Sequence, residues 1–392
     1  MIRPSASATA STAPGALLAV FALALLCLSG PFALLMVDPG DFMLQPRAWW
    51  QADSMTDQAL QLGTAVCLLP AAVLALHPTP QRTRTAVLTI LALAGALGLI
   101  ALAPTDESRV PGHAYWLATL ALMLLAVVTI QRVAALPLPR WLAPLTAGLF
   151  GLWMLLLWEQ LVTAFAVPRV LLPPPSAVVL ALWEHAATLW GDLVQTVGKA
   201  VLIGYALGCG LGVLTGIAID RLPFLQRGLL PVASLTSTIP LVGIAPIAVM
   251  WFGFDWPSKA AVIVLMTFFP TLVSTLAGLG AAGKLERELM HSYAASYRRT
   301  LLDLRLPVAL PFIFNALKVN ATLALIGAIV AEFFGSPTQG LGFRISTEAS
   351  RMNMPLVWAT IVVASAVGML AYSALSRLER RVNFWHPSVR SA

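Results

Sequence analysis

Charged residues make up only 10% of this 392-residue chain, 17 of them acidic, too few to solvate two or three water-soluble domains. Cysteine is scarcer still. Cys27, Cys67 and Cys209 lie inside apolar runs, in an odd number and without C-x-x-C spacing, which argues against a disulfide framework or a cysteine metal cluster. His77, His113, His185, His291 and His386 stand apart from one another and from acids at ligand spacing, so no metal is expected. No G-x-S-x-G nucleophile turn occurs, and enzymatic chemistry within this polypeptide has little support. A phosphate loop is missing by one residue. In "GLGAAGKL", Gly278, Gly283 and Lys284 follow G-x-x-x-x-G-K-[ST], but Leu285 stands where a magnesium-binding hydroxyl is needed, and an apolar span precedes it instead of a strand. ATP binding by this chain is therefore not expected, and Gly278, Gly280 and Gly283 are read as ending a helix and turning the chain.

What the sequence does have is apolar length. With 59% hydrophobic residues, stretches long enough to cross a bilayer, about 20 residues each, run over 15–37, 57–76, 86–103, 114–131, 141–166, 197–219, 230–252, 260–279, 314–334 and 355–375, which makes an all-α polytopic membrane protein of about ten helices. The first run exceeds the 7 to 15 residues of a signal-peptide core and is read as an uncleaved anchor. With both ends in the cytoplasm, seventeen of the 24 Lys and Arg residues fall on the inner side and seven on the outer, the sense of the positive-inside tendency. That distribution gives the net charge of +7 a topological meaning and offers no patch for nucleic acid. Trp49, Trp50, Trp116, Trp141, Trp251 and Trp256 fall near span ends, where an amphipathic ring suits the headgroup layer.

A boundary is expected near residue 140. The four spans before it have short loops and no polar constellation; the spans after it are interrupted by Pro, Gly and Ser clusters and by a basic cytoplasmic segment over 280–313. Within that segment Leu285, Leu289, Tyr293, Tyr297 and Leu301 recur every fourth residue, one stripe of a helix. The stripe needs a cover, either the lipid interface or a groove in a soluble partner.

Residues 288–307, "ELMHSYAASYRRTLLDLRLP", follow the spacing E-A-A-x3-G-x9-I-x-L-P, with Glu288 at the acid, Leu289 and Met290 at the alanines, Ala294 at the glycine, Leu304 at the isoleucine and Leu306 and Pro307 closing. In this the chain resembles the inner-membrane permease subunits of bacterial ABC importers. "LPPPSAVVLALWEH", "TSTIPLVGIAPIAVMWFGF" and "IVAEFFGSPTQGLGF" are similar to the branch that carries nitrate, sulfonate, taurine and thiamine-precursor molecules. The resemblance covers about 141–392 and implies a type I ABC importer permease core, preceded over 1–140 by an N-terminal extension of about four helices. It implies a homodimer or a pairing with a related permease, working in the bacterial inner membrane with two ATPase subunits that hold ATP and Mg and an outer-side substrate-binding protein. Coupling to the ATPase would then fall on Glu288, Leu289, Tyr293, Ala294, Leu301, Leu304 and Pro307, the small residue at 294 permitting close approach of two helix backbones.

Three further groups stand out. Gly204, Gly208, Gly212 and Gly216 strip one helix face of side chains, for plain packing or for a contact that moves during transport. Pro240 and Pro246 interrupt the seventh span beside Ser234, Thr236, Ser237 and Thr238, either lining a pathway or supporting a kink. Glu332, just before Gly340 and Gly342, matches an acid position of the resembled family, and charge at that depth points to a pathway or gate, with capping of the Gly335–Gly342 turn as the other reading. Glu159 has no resemblance behind it. An ion-coupled secondary carrier using Glu332 and Glu159 is the alternative function; a polytopic membrane enzyme or scaffold is a third, disfavoured by the missing nucleophile and metal clusters.

Overall fold

The computed structural model describes residues 13–30, 32–37, 55–77, 79–103, 109–222, 224, 228, 241–335 and 338–385. The chain divides into two compact units, Met1–Ala177 and Val178–Ala392. The compact units divide between residues 177 and 178, beyond the boundary expected near residue 140.

In the first unit α1 (Ala13–Ser29), α2 (Met55–Ala75), α3 (Arg82–Ala101), α4 (His113–Ala135) and α5 (Pro144–Ala164) pack around a core in which small residues alternate with leucines. Ala19, Ala22, Ala71, Ala72, Ala92, Ala96 and Ala121 are buried beside Leu68, Leu88, Leu99, Leu122 and Leu125, and the alanines let backbones approach where no hydrophobic force separates helix from lipid. Polar contacts also tie this unit together. Arg132 donates to the carbonyls of Leu74, Ala75 and His77 at 3.1, 2.5 and 2.6 Å, satisfying orphan groups at the end of α2. Gln160 donates to the Thr119 hydroxyl at 2.7 Å and the Trp153 ring N–H to Thr129 at 3.1 Å.

Among the described residues one short strand pair accompanies the helices. Residues 35–37 were expected to continue the first span, but α1 stops at Ser29, and β1 (Leu35–Val37) pairs antiparallel with β2 (Arg109–Pro111). The ladder's last bond runs from the Gly30 N–H to the Leu26 carbonyl at 3.0 Å, and the proline next in sequence offers no N–H to continue it.

In the second unit α6 (Pro175–Glu184), which begins just before the division, leads into α7 (Ala186–Leu193), a π-helical segment (Val194–Val201) and α8 (Leu202–Ile219). These last three form one helix, Ala186–Ile219. There follow α9 (Leu241–Phe252), α10 (Trp256–Gly280), α11 (Lys284–Ser292), α12 (Tyr297–Thr300), a second π segment (Leu301–Arg305), α13 (Leu306–Phe334), α14 (Leu341–Ser350) and α15 (Met354–Val382). From α12 to α13 the helix is again continuous over Tyr297–Phe334.

Eight helices among the described residues are long and apolar enough to cross a membrane, and α1 and α9 are shorter apolar helices at the first and seventh expected spans. Large apolar side chains face outward along them, among them Val66, Ile90, Leu97, Leu207, Leu214, Ile326 and Met369, a surface suited to lipid. The chain is a multi-pass helical membrane protein. The ninth helix starts at 297 instead of 314. Pro307 falls in the first turn of α13, and the preceding π segment opens the turn whose carbonyls its ring would strike. At 1.5 Å per residue its 38 residues span about 57 Å, well beyond a hydrocarbon layer of about 30 Å.

Two helices, α8 and α13, pack on α10 at the centre of this unit. The glycine face of α8 meets α10: a Cβ at Gly204 would lie 2.8 Å from Ile263 Cβ, at Gly212 2.8 Å from Thr271 Cβ and at Gly216 2.9 Å from Thr275 Cβ, and one at Gly208 would lie 3.0 Å from the Val264 Cα. Opposite stands a threonine ladder. Thr267, Thr271 and Thr275 are fully buried and return their hydroxyls to carbonyls one turn back at 2.7 to 2.8 Å, so each hydroxyl proton is satisfied within α10, including that of Thr267, whose oxygen lies against Gly208. Asn320 of α13 completes the layer, donating to the Thr267 carbonyl at 3.0 Å and to the Thr271 hydroxyl at 2.7 Å.

Candidate functional site

The segment 284–307 does not form one helix. α11 ends at Ser292, and Ala294 turns the chain with φ of 52°. The Ala294 N–H donates to the His291 carbonyl at 2.9 Å and the Ala295 N–H to the Met290 carbonyl at 3.0 Å, the paired bonds of a Schellman stop. Ser296 then caps α12, its hydroxyl accepting from the Arg299 N–H at 3.4 Å. The expected stripe is cut in two, because helical periodicity holds only along an unbroken helix. Leu285, Leu289 and Tyr293 are 78%, 57% and 78% exposed. Beyond the stop, Tyr297, Leu301 and Leu304 are half-buried, and Leu301 packs on Leu279, Ala309 and Ile313. Leu301 therefore belongs to the body of the protein and not to the free face. Ala294 is exposed, so what the fold asks of this position is a left-handed backbone, a reason for glycine in the signature other than close helix approach. Glu288 pairs with Lys284 at 3.8 Å on the surface, a contact worth little.

Behind the free face lies a cluster that the sequence reading did not single out. Asp220, at the end of α8, accepts both arms of the Arg305 guanidinium at 2.6 and 2.7 Å and the Tyr297 hydroxyl at 2.8 Å. Arg305 Nε also donates to the Leu279 carbonyl of α10 at 3.0 Å, and the Arg221 guanidinium sits 4.0 Å over the Tyr297 ring. The π segment delivers Arg305 to this spot, and π turns recur where a helix must re-aim a side chain. Gly278, read as a turn residue, instead packs inside α10, where a Cβ would lie 2.9 Å from Ala309 Cα.

At the opposite end of these helices the turn between α13 and α14 is gripped from two sides. Glu332 accepts the Thr196 hydroxyl on Oε1 and the Gly342 N–H on Oε2, both at 2.7 Å. Thr196 Oγ1 accepts the Leu341 N–H at 2.8 Å and Asp192 Oδ1 the Gly340 N–H at 2.9 Å. Three successive N–H groups at the start of α14 thus end on buried side chains from other elements. Arg344 returns to Asp192 at 2.8 Å, while Lys259, 2% exposed, donates to the carbonyls of Gly335 and Phe254. Gly340 has φ of 138°, and a Cβ there would lie 2.6 Å from Glu332 Cδ. Asp255, ahead of α10, is held below the usual carboxylate range first by the Trp256 N–H it accepts and then by Gln195.

Glu332, Gly340 and Gly342 are therefore brought together, in the geometry of a cap. Pro246 lies within α9 and takes no part; Ser234, Thr236, Ser237, Thr238 and Pro240 lie outside the described residues. Glu159 is a cap as well, accepting the Ser176 N–H at 2.8 Å and its hydroxyl at 2.6 Å at the start of α6. Among the described residues no group of His, Cys, Asp and Glu is placed to hold a metal.

An exposed apolar helix face is thus followed, beyond the stop at Ala294, by a charged cluster that joins the ends of α8 and α10 to the start of α13. Residues 208–384 match the family of binding-protein-dependent transport system inner membrane components, and the chain belongs to that family, the permeases of ABC importers. It is 32% identical over 237 residues, 60% of this chain and 94% of the relative, to the formylaminopyrimidine transport permease protein ThiX of Halalkalibacterium halodurans. Over 60% of this chain it is 28% identical to the riboflavin transport system permease protein RibX of Chloroflexus aurantiacus, with 88% of that protein covered. To the taurine transport system permease protein TauC of Escherichia coli it is 29% identical over 244 residues, 60% of this chain and 88% of the relative.

Proposed function

We propose that this permease sits in the bacterial inner membrane with both termini in the cytoplasm, as a homodimer or beside a related permease, and moves a small solute inward on the stroke of separate ATPase subunits holding ATP and Mg. The observation that carries this reading is the division of residues 284–307 into an exposed half and an anchored half. α11 offers Leu285, Leu289 and Tyr293 to a groove on the ATPase, and Arg305, twelve to twenty residues beyond these side chains, is bonded to α8 and α10. A displacement of α11 is thereby passed to helices that cross the membrane, and by linkage their rearrangement acts back on the ATPase.

An outer-side binding protein would deliver the solute. Relatives named for taurine and formylaminopyrimidine transport support a cargo of the nitrate, sulfonate and taurine or pyrimidine vitamin-precursor class. The capping geometry supports an anchoring part for Glu332, Gly340 and Gly342, fixing the turn before α14 at the outer mouth. Glu332 and Glu159, the acids an ion-coupled carrier would use, have both oxygens engaged by N–H and hydroxyl donors, an arrangement that favours caps over ion coupling.

The test is reconstitution in vesicles with the companion ATPase and binding protein, offering labelled taurine or aminopyrimidine. Uptake that needs all three proteins and ATP is the expected result. Uptake by this chain alone, driven by a proton or sodium gradient, would sink the reading.

A further inference from the structure

The first unit contains a cavity of about 200 Å³ between α1, α2 and α4. Its wall is formed largely by Leu26, Phe32, Leu34, Leu68 and Ala118, with Gln61 projecting from α2. The hydroxyls nearby are committed: Ser29 donates to the Leu26 carbonyl at 2.9 Å and Thr64 to the Leu60 carbonyl at 2.7 Å. Gln61 is different. It is 7% exposed, and its Oε1 has no hydrogen-bond partner among the described residues. A buried acceptor left unmet is costly, and native folds leave few of them. An apolar cavity of about 150 Å³ is large enough to take benzene, so this one has room for a ring-sized body with a polar substituent.

We propose that the cavity between α1, α2 and α4 is a binding site for a small amphipathic molecule with an apolar body and one hydrogen-bond donor, which it gives to Gln61 Oε1. A free hydroxylated or amino solute and a lipid headgroup hydroxyl share this chemistry. The site lies wholly in the first unit, so it stands or falls independently of the coupling segment.

The test uses the full chain in nanodiscs of phosphatidylcholine, whose headgroup offers no donor, titrated with benzyl alcohol and with its non-donating isomer anisole and followed by ligand-detected NMR. Saturable binding is expected, with benzyl alcohol held about tenfold more tightly, the worth of one buried hydrogen bond. In Gln61→Met, which removes an acceptor that has no partner among the described residues, the two isomers should bind about equally. Ala65→Phe, at the cavity wall, should abolish saturable binding of both. Competition by added phosphatidylglycerol supports the proposal with a lipid as the source of the donor; its absence supports it with a free solute. Equal affinity of the isomers for the unaltered chain, a preference that survives Gln61→Met, or no saturable binding at all overturns it.

Discussion

Arg305 holds Asp220 with both arms of its guanidinium, at 2.6 and 2.7 Å, and its remaining Nε reaches the Leu279 carbonyl at 3.0 Å. One side chain at the start of α13 thus fixes the ends of α8 and α10. A planar fork with several donors can satisfy three acceptors at once, which a lysine ammonium on a flexible stem does not reproduce.

Asp220→Ala should therefore cost about 3 kcal/mol of stability, because it strands a mostly buried guanidinium, and Arg305→Lys about 1 to 2 kcal/mol. Unfolding of the purified permease measures both. The functional signature is a loss of ATPase stimulation by loaded binding protein while the ATPase stays bound, which a general loss of folding would not give.

Ala294 carries a left-handed φ that a Cβ disfavours. Ala294→Gly should stabilise the stop after α11 by about 0.5 to 1 kcal/mol, and Ala294→Val should destabilise it by more. Hydrogen exchange at the Ala294 and Ala295 amides, slower in the first variant and faster in the second, checks this.

The glycine face of α8 has a built-in control. A Cβ at Gly212 meets the Phe268 carbonyl at 2.7 Å, whereas one at Gly210 meets nothing within 4 Å. Gly212→Leu is expected to cost at least about 3 kcal/mol, and Gly210→Leu to stay within about 0.5 kcal/mol, both read as thermal stability in detergent.

Glu332→Gln keeps one acceptor oxygen but turns the other into a donor facing the Gly342 N–H. The loss should be about 2 kcal/mol at the start of α14, the scale of a hydrogen bond to a charged group. A thiol reagent should reach Thr338→Cys faster when Glu332→Gln is also present.

How much of this was legible in the sequence depends on whether the signal is local. Gly204 to Gly216 announce a packing face at one-turn spacing, and Thr267, Thr271 and Thr275 carry the same spacing for the surface they meet, a pattern that could have been read beside it. The start of the ninth helix was hidden because Arg298, Arg299, Asp303 and Arg305 look like loop charges and two prolines look like breakers, while a π turn absorbs the strain. The pairing of Asp220 with Arg305 joins residues 85 apart and that of Thr196 with Glu332 residues 136 apart, distances over which one sequence carries no pairing signal. Glu332 could be flagged by the cost of charge at depth, but its partners could not. A strand of three residues, such as β1, is shorter than any alternation from which it could be inferred.

The most direct measurement is co-purification of the ATPase with Leu285→Ala, Leu289→Ala and Tyr293→Ala combined. These side chains are exposed, so the variant should unfold within about 1 kcal/mol of the unaltered permease. Docking through α11 requires that this folded variant lose most of its bound ATPase, with Leu301→Ala, which is packed on the body, losing stability instead. A folded triple variant that retains the ATPase at the unaltered level contradicts the assignment of α11 as the surface that receives the stroke.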